Sequence, residues 1–190
     1  MSRVKYILNS SFLIYTMDFK DLVQKRRSIR KFTEEELTPE EVQTILRAGL
    51  MSPTSKSSRA WHFVVVDDKE LIERISQCKS AGAEFVKGAP LAVVVLMDTQ
   101  QTDVWVEDAS IAAVTMQYQA ADLGLGSCWA QIRFRTQEDG TPATEVLREL
   151  LGFPAEYEAE CVIAFGHPAI ERKPQDEDRL KWESVHVNQF

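Results

Sequence analysis

Pro90-Leu91-Ala92-Val93-Val94-Val95-Leu96-Met97 is an unbroken apolar run, with no charge or amide between its ends. It is far too short to span a bilayer, and its β-branched centre suits a strand buried on both faces. Reading outward, Trp61 to Val66 gives a second buried strand, followed by a helix through Leu71, Ile72 and Ile75. Downstream, a long helix is predicted from about Asp103 to Leu123, with Ile111, Val114, Tyr118 and Ala121 as its apolar stripe. Its alanines (109, 112, 113, 120 and 121) would let another helix approach closely, and Gly124 is a stop signal. Gly126 to Ile132 reads as a further extended segment, and Glu160 to Gly166 as the last core strand. Between them Thr141-Pro142 opens a capped helix that runs to Leu151 and stops at Gly152. The pattern is that of one mixed α/β domain.

Upstream, residues 18–27 predict a short helix with Phe19, Leu22 and Val23 on one face. A second helix follows Thr38-Pro39-Glu40-Glu41, which supplies an N-cap, a proline at the first helical position and a glutamate at the third. Val42, Ile45, Leu46 and Gly49 then recur at helical spacing, and Pro53 closes the segment. Residues 1–16 carry a broken apolar run without a small-residue cleavage site, so they read as a leader outside the core. The domain proper is expected over 17–190. From His167 onward an irregular arm (167–190) carries Trp182, Val185, Val187 and Phe190 on a charged background, and such residues need a surface to lie on.

Composition narrows the function classes. The chain has 190 residues, with 22 basic against 29 acidic side chains and a net charge of -7. That balance argues against general nucleic-acid or anionic-membrane binding. Cys78, Cys128 and Cys161 are widely spaced, with no CxxC pair and no zinc-ligand spacing, so they read as reduced thiols of a cytoplasmic protein. His62, His167 and His186 form no spacing suggestive of a catalytic triad. Glu107 and Asp108 are adjacent, so on a helix they diverge and cannot serve as paired carboxylates.

Against this acidic background, Lys25-Arg26-Arg27-Ser28-Ile29-Arg30-Lys31-Phe32 gathers five basic residues and a hydroxyl. Guanidinium forks beside a neutral donor suit a phosphomonoester. The plainer reading is a solvated basic end of a helix, favourable against its dipole. The order of features decides between them: RRSIRKF, a capped helix, SPTSKSSRAWHFVVV, PLAVVV, then GLGSCW after an alanine-rich helix. In that order the chain resembles the nitroreductase-like family of FMN-dependent oxidoreductases over nearly its whole length from Met17. A GxGxxG fingerprint and a Walker-type phosphate loop are both absent from the sequence.

The resemblance implies an α+β nitroreductase-like fold, with a mostly antiparallel central sheet flanked by helices. It also implies an intertwined homodimer whose C-terminal arms are exchanged and whose active sites are shared. FMN would be the cofactor and NADH or NADPH the donor, with a nitroaromatic, quinone or similar small acceptor reduced by a ping-pong mechanism. Arg26 and Ser28 match positions that hold the flavin phosphate, with Arg27 contributing mainly backbone; Arg30 matches a cation near the pyrimidine ring. Pro53, Thr54, Ser55 and Ser57 match the loop that lines the flavin from the neighbouring subunit. Here the sequence departs from the family: Ser57, Arg59 and Ala60 stand where asparagine, glutamine and proline are common. Trp129, Ala130, Gln131 and Ile132 match the segment that brings a main-chain N–H to flavin N5, with Gln131 and Ile132 at that point and Trp129 either covering a ring face or packing as a plain core tryptophan. Arg179 would bring a further cation to the phosphate, with Arg172 or Lys173 as the alternatives. Related chemistries on the same fold are reductive dehalogenation and desaturation, and a flavin-binding protein without turnover is a further alternative.

Overall fold

The computed structural model describes residues 18–190, so the expectations for residues 1–16 and for a start near Met17 lie outside the described residues. The centre of the fold is a four-stranded sheet in the order β1-β2-β4-β3, formed by β1 (Trp61–Val66), β2 (Leu91–Asp98), β3 (Gly126–Gln131) and β4 (Tyr157–Gly166). Every pairing among them is antiparallel. β2 is buried along its whole length, as its uninterrupted apolar sequence predicts. β1 differs from expectation. It is an edge strand with His62 exposed and Val65 at 40%, because β-branched content does not tell a central strand from a covered edge.

Two hydrophobic layers sandwich the sheet. One joins α3 (Lys69–Ser76), α5 (Ala143–Leu151) and the turn at Glu84–Gly88 to Ala92, Val94, Val162 and Ala164. The other joins α2 (Pro39–Leu50) and α4 (Trp105–Asp122) to Val93, Val95, Ile163 and Phe165. Alternate strand residues thus feed opposite layers. The capping box of α2 forms as predicted: Thr38 Oγ1 accepts from the Glu41 N–H, and Glu41 Oε2 accepts from the Thr38 N–H. α5 is capped by Pro142, which offers no side-chain acceptor, so the expected Thr141 cap is not made. Gly152 ends that helix at φ 73°.

α4 corrects the predicted apolar stripe. Ala109, Ala113, Met116 and Ala120 join the sheet layer and Ala112 is buried beside them, while Ile111 and Val114 point outward at 37% and 38% exposure. The small face lets the helix sit close on the strands, and the bulkier aliphatic face is left uncovered within one chain.

The N-terminal segment ties the ends of the fold together. α1 (Phe19–Lys25) packs on α4, and the chain then runs beside β3, where the Ile29 N–H donates to Ser127 O at 2.9 Å. It next meets the chain after β4, through the Thr33 N–H to His167 O and the Ala169 N–H to Lys31 O. Gln175 bonds Gln24, so the arm follows its own protomer this far. Beyond it Leu180, Trp182, Val185, Val187 and Phe190 are all at least half exposed.

Candidate functional site at the open edge of β3

β3 is the outermost strand of its side of the sheet, and only its first residues are covered, by Ser28 and Ile29. The pairing register says what the rest of this edge offers. The Ile132 N–H donates to Glu160 O at 3.1 Å, inward toward β4. Antiparallel ladders alternate inward and outward groups, so the main-chain groups of Ser127, Trp129 and Gln131 turn away from β4. Ser127 O is met by Ile29, whereas the outward groups of Trp129 and Gln131 face the open edge. Of the two residues expected near flavin N5, Gln131 therefore presents a main-chain donor and Ile132 does not. Ile132 and Ala130 are also buried in the core layer on the other side.

The side chain of Gln131 is committed elsewhere. Its Oε1 accepts from Trp129 Nε1 at 2.9 Å, and its Nε2 donates to Glu160 Oε1 at 3.0 Å and Glu160 O at 3.2 Å. Trp129 is half-buried, fixed by this amide and packed at the rim of the α2–α4 layer.

Glu160 is 4% exposed, and its Oε2 has no partner among the described residues. Burial raises its carboxyl above the usual 4.5; the Gln131 bond and the Arg133 charge oppose the rise, and Glu107 adds to it. The folded state therefore holds this proton more tightly than the unfolded chain does. The resulting stabilisation is complete below 4.5 and is lost as pH rises through the elevated value. The Tm of the wild type should fall relative to that of Glu160→Gln as pH rises from 4.5 through the elevated value, and level off beyond it. A difference in Tm that is flat with pH would show that Glu160 titrates normally.

Beside the strand lies the basic cluster. Lys25, Arg26, Arg27, Gly126, Ser127 and Arg172 contribute to the wall of a cavity of about 150 Å³, which also includes Glu171. Arg26 lies 5.8 Å from the Tyr118 ring centroid, and Arg30 the same distance from that of Phe85. The Cys128 thiol, beneath them in β3, senses the group: burial pushes it up, while Arg30, Ser28 and Arg26 draw it back. Arg26, Arg30 and Arg172 form no ion pair among the described residues. The Arg27 side chain is otherwise engaged, donating to the carbonyls of Lys173 and Pro174 and so clamping the arm. Of the three C-terminal cations, Arg172 alone joins the cavity wall. Lys173 contributes its carbonyl to the clamp, and Arg179 lies in an exposed turn at Glu177–Arg179.

The Pro53–Ser57 loop is not brought to this cluster within one chain. It sits at the opposite end of α4, where Asp108 accepts from the Ser55 N–H at 2.9 Å and from the Ser58 hydroxyl at 3.3 Å. Asp108 and the cavity residue Ala121 are 13 positions apart on the helix, which is about 20 Å. Asp108 was not expected from its neighbour Glu107, but its register announces it. Ala112, Met116 and Ala120 follow it at steps of four, so it is an acid on the buried stripe.

A family model described as the Nitroreductase family matches residues 23–83 and 77–167. The chain belongs to the nitroreductase family. Among solved relatives of this nitroreductase-family chain, an FMN-dependent nitroreductase from Clostridium difficile R20291 is 46% identical. It superposes with a TM-score of 0.87, covering 89% of this chain and 98% of its own. The NADPH:FMN oxidoreductase of Vibrio harveyi, solved in complex with NAD+, is 26% identical with a TM-score of 0.75, covering 90% of this chain and 77% of its own. A protein of Methanothermobacter thermautotrophicus, provisionally named NADH dehydrogenase/NAD(P)H nitroreductase, is 31% identical over 190 residues, covering 98% of this chain and 95% of the relative. Among the described residues, no helix of this family member is long and apolar enough to cross a membrane.

Proposed function

We propose that the chain is an FMN-dependent oxidoreductase that uses NADH or NADPH to reduce nitroaromatics, quinones or related electron-poor acceptors. FMN, when bound, would supply the hydride-transfer chemistry between the nicotinamide and the acceptor, in two separate half-reactions. The observation that carries this reading is the convergence of Arg26, Ser28 and Arg30 around Cys128 of β3, with Arg26 and Arg172 on the wall of the adjoining cavity and Arg26, Arg30 and Arg172 all without an ion pair among the described residues. A cavity of about 150 Å³ has room for a phosphate group beside these cations.

On this reading Arg26, Ser28 and Arg172 hold the phosphate by charge-assisted bonds. Arg30 stands further along and stabilises negative charge on the pyrimidine side of the ring. The outward N–H of Gln131 would be available to the flavin, and the Trp129 indole, held by the Gln131 amide that Glu160 in turn anchors, would bound the site. Arg27 secures the arm that carries Arg172. The loop carrying Pro53, Thr54, Ser55 and Ser57 serves the site of a second subunit, since α4 keeps it about 20 Å from the site of its own. A two-fold homodimer with paired α4 helices would bring each loop to its partner's basic cluster and cover Ile111 and Val114. The apolar tail from Leu180 to Phe190 then has a partner surface to cross.

The absorption spectrum of the purified protein, followed by anaerobic titration with each nicotinamide, tests the proposal. A yellow protein bleached by NADH or NADPH and reoxidised by a nitro compound or quinone is expected. A colourless protein that takes up no FMN would refute it, and a yellow one that neither nicotinamide bleaches would mark a carrier or sensor instead.

A further inference from the structure

The loop between α2 and β1 is strained at three positions. Lys56, Ser57 and Arg59 have φ of 52°, 54° and 49°, in the left-handed region that L side chains other than Asn and Asp seldom enter. Non-glycine residues persist there only when their surroundings over-determine them. The surroundings here are few and specific. Asp108, 2% exposed, spends one oxygen on the Ser55 N–H and the other on the Ser58 hydroxyl. Thr54 Oγ1 accepts from the Arg59 N–H at 3.1 Å and closes the turn from within. The one ion pair of the loop among the described residues, Lys56 with Asp103 at 3.8 Å, joins two largely exposed side chains and adds little.

A carboxylate taken out of water is costly unless its oxygens are used. Both Asp108 oxygens are used, and both on this loop. Neither bond serves the helix itself, whose backbone is satisfied at this position by the Asp108 N–H donating to Val104 O.

We propose that Asp108 is a positioning residue of the redox site, locking the loop Thr54–Arg59 in its left-handed shape so that ligands meet it preformed. The assignment rests on the reading that places this loop beside the flavin of the partner subunit. A preformed loop does not have to be ordered when nicotinamide or acceptor binds, so releasing it costs affinity rather than the chemical step.

The test uses the FMN-loaded protein and three variants: Asp108→Ala, Asp108→Asn, which keeps one acceptor oxygen, and Ser58→Ala, which removes only the longer bond. Amide exchange at Ser55 and Arg59 should accelerate by about tenfold or more in Asp108→Ala, by less in Asp108→Asn and least in Ser58→Ala, in keeping with a charged hydrogen bond lost. The KM for a quinone or nitroaromatic acceptor should rise in the same order, by about tenfold at most, with kcat within about twofold of wild type. A lower Tm accompanied by unchanged exchange in the loop and unchanged KM would overturn the proposal and leave Asp108 as an ordinary buried acid. Accelerated loop exchange in Asp108→Ala, together with a wild-type protein that neither NADH nor NADPH reduces, would instead uphold the lock and refute the flavin reading on which its role rests.

Discussion

Replacing Arg26 with alanine should leave a folded protein that has lost most of its FMN. A hydrogen bond to a charged group contributes about 1.5–3 kcal/mol, so the dissociation constant should rise about tenfold to 150-fold. The loss should be large because Arg26 stands half-buried on the cavity wall, its guanidinium near the Tyr118 ring and without a carboxylate partner among the described residues. Truncation also removes the contact with Tyr118, so some loss of packing accompanies the loss of charge. Titration of FMN-free protein, followed by quenching of flavin fluorescence, measures the effect. An unchanged affinity alongside an unchanged Tm would remove Arg26 from the phosphate site.

Phe165→Ala should be the most damaging single change to the fold. Phe165 is fully buried in β4, opposite Leu91 of β2 and Ser127 of β3, in the layer under α2 and α4. Emptying such a site costs about 3–5 kcal/mol, a large part of the roughly 5–15 kcal/mol that holds a domain together. Its cross-strand neighbour Ser127 is also where Ile29 docks, so the cavity would loosen the anchorage of the basic segment as well. Denaturant unfolding should show the midpoint falling strongly. A midpoint close to wild type would mean that the layer collapses around the gap and that Phe165 is not the keystone its burial suggests.

Much of the fold was legible because it depends on signals within short windows. The burial of β2 follows from an apolar run of strand length, and α2 is announced by Thr38, Pro39 and Glu41 before its first hydrophobic residue. What could not be read depends on partners distant in sequence. α4 carries apolar residues on two faces, and the alanine face won because the sheet requires close approach there, leaving Ile111 and Val114 outside. Sequence hydrophobicity ranks those faces in the reverse order.

The candidate site divides in the same way. Arg26, Ser28 and Arg30 are candidates that local composition and a resemblance in motif order suffice to nominate. The commitment of the Gln131 side chain to Trp129 and Glu160 depends on a strand 29 residues away. The inward turn of the Ile132 N–H depends on register, which an alternating pattern fixes only once the neighbouring strand is known. Arg172 was separable from Lys173 and Arg179 only through the course of the arm, which the clamp of Arg27 on two backbone carbonyls determines.

The length of α4 has a genetic consequence. In the proposed dimer each site draws its basic cluster from one polypeptide and its loop from the other. One allele could be damaged at the Arg26 end and a second at the loop end, each inactive as a homodimer. Expressed in the same cell, the two would also form mixed dimers. In these, both lesions fall on one site and the other site is assembled entirely from undamaged halves. Two broken copies should therefore restore activity that neither has alone, whereas two alleles broken at the same end should not.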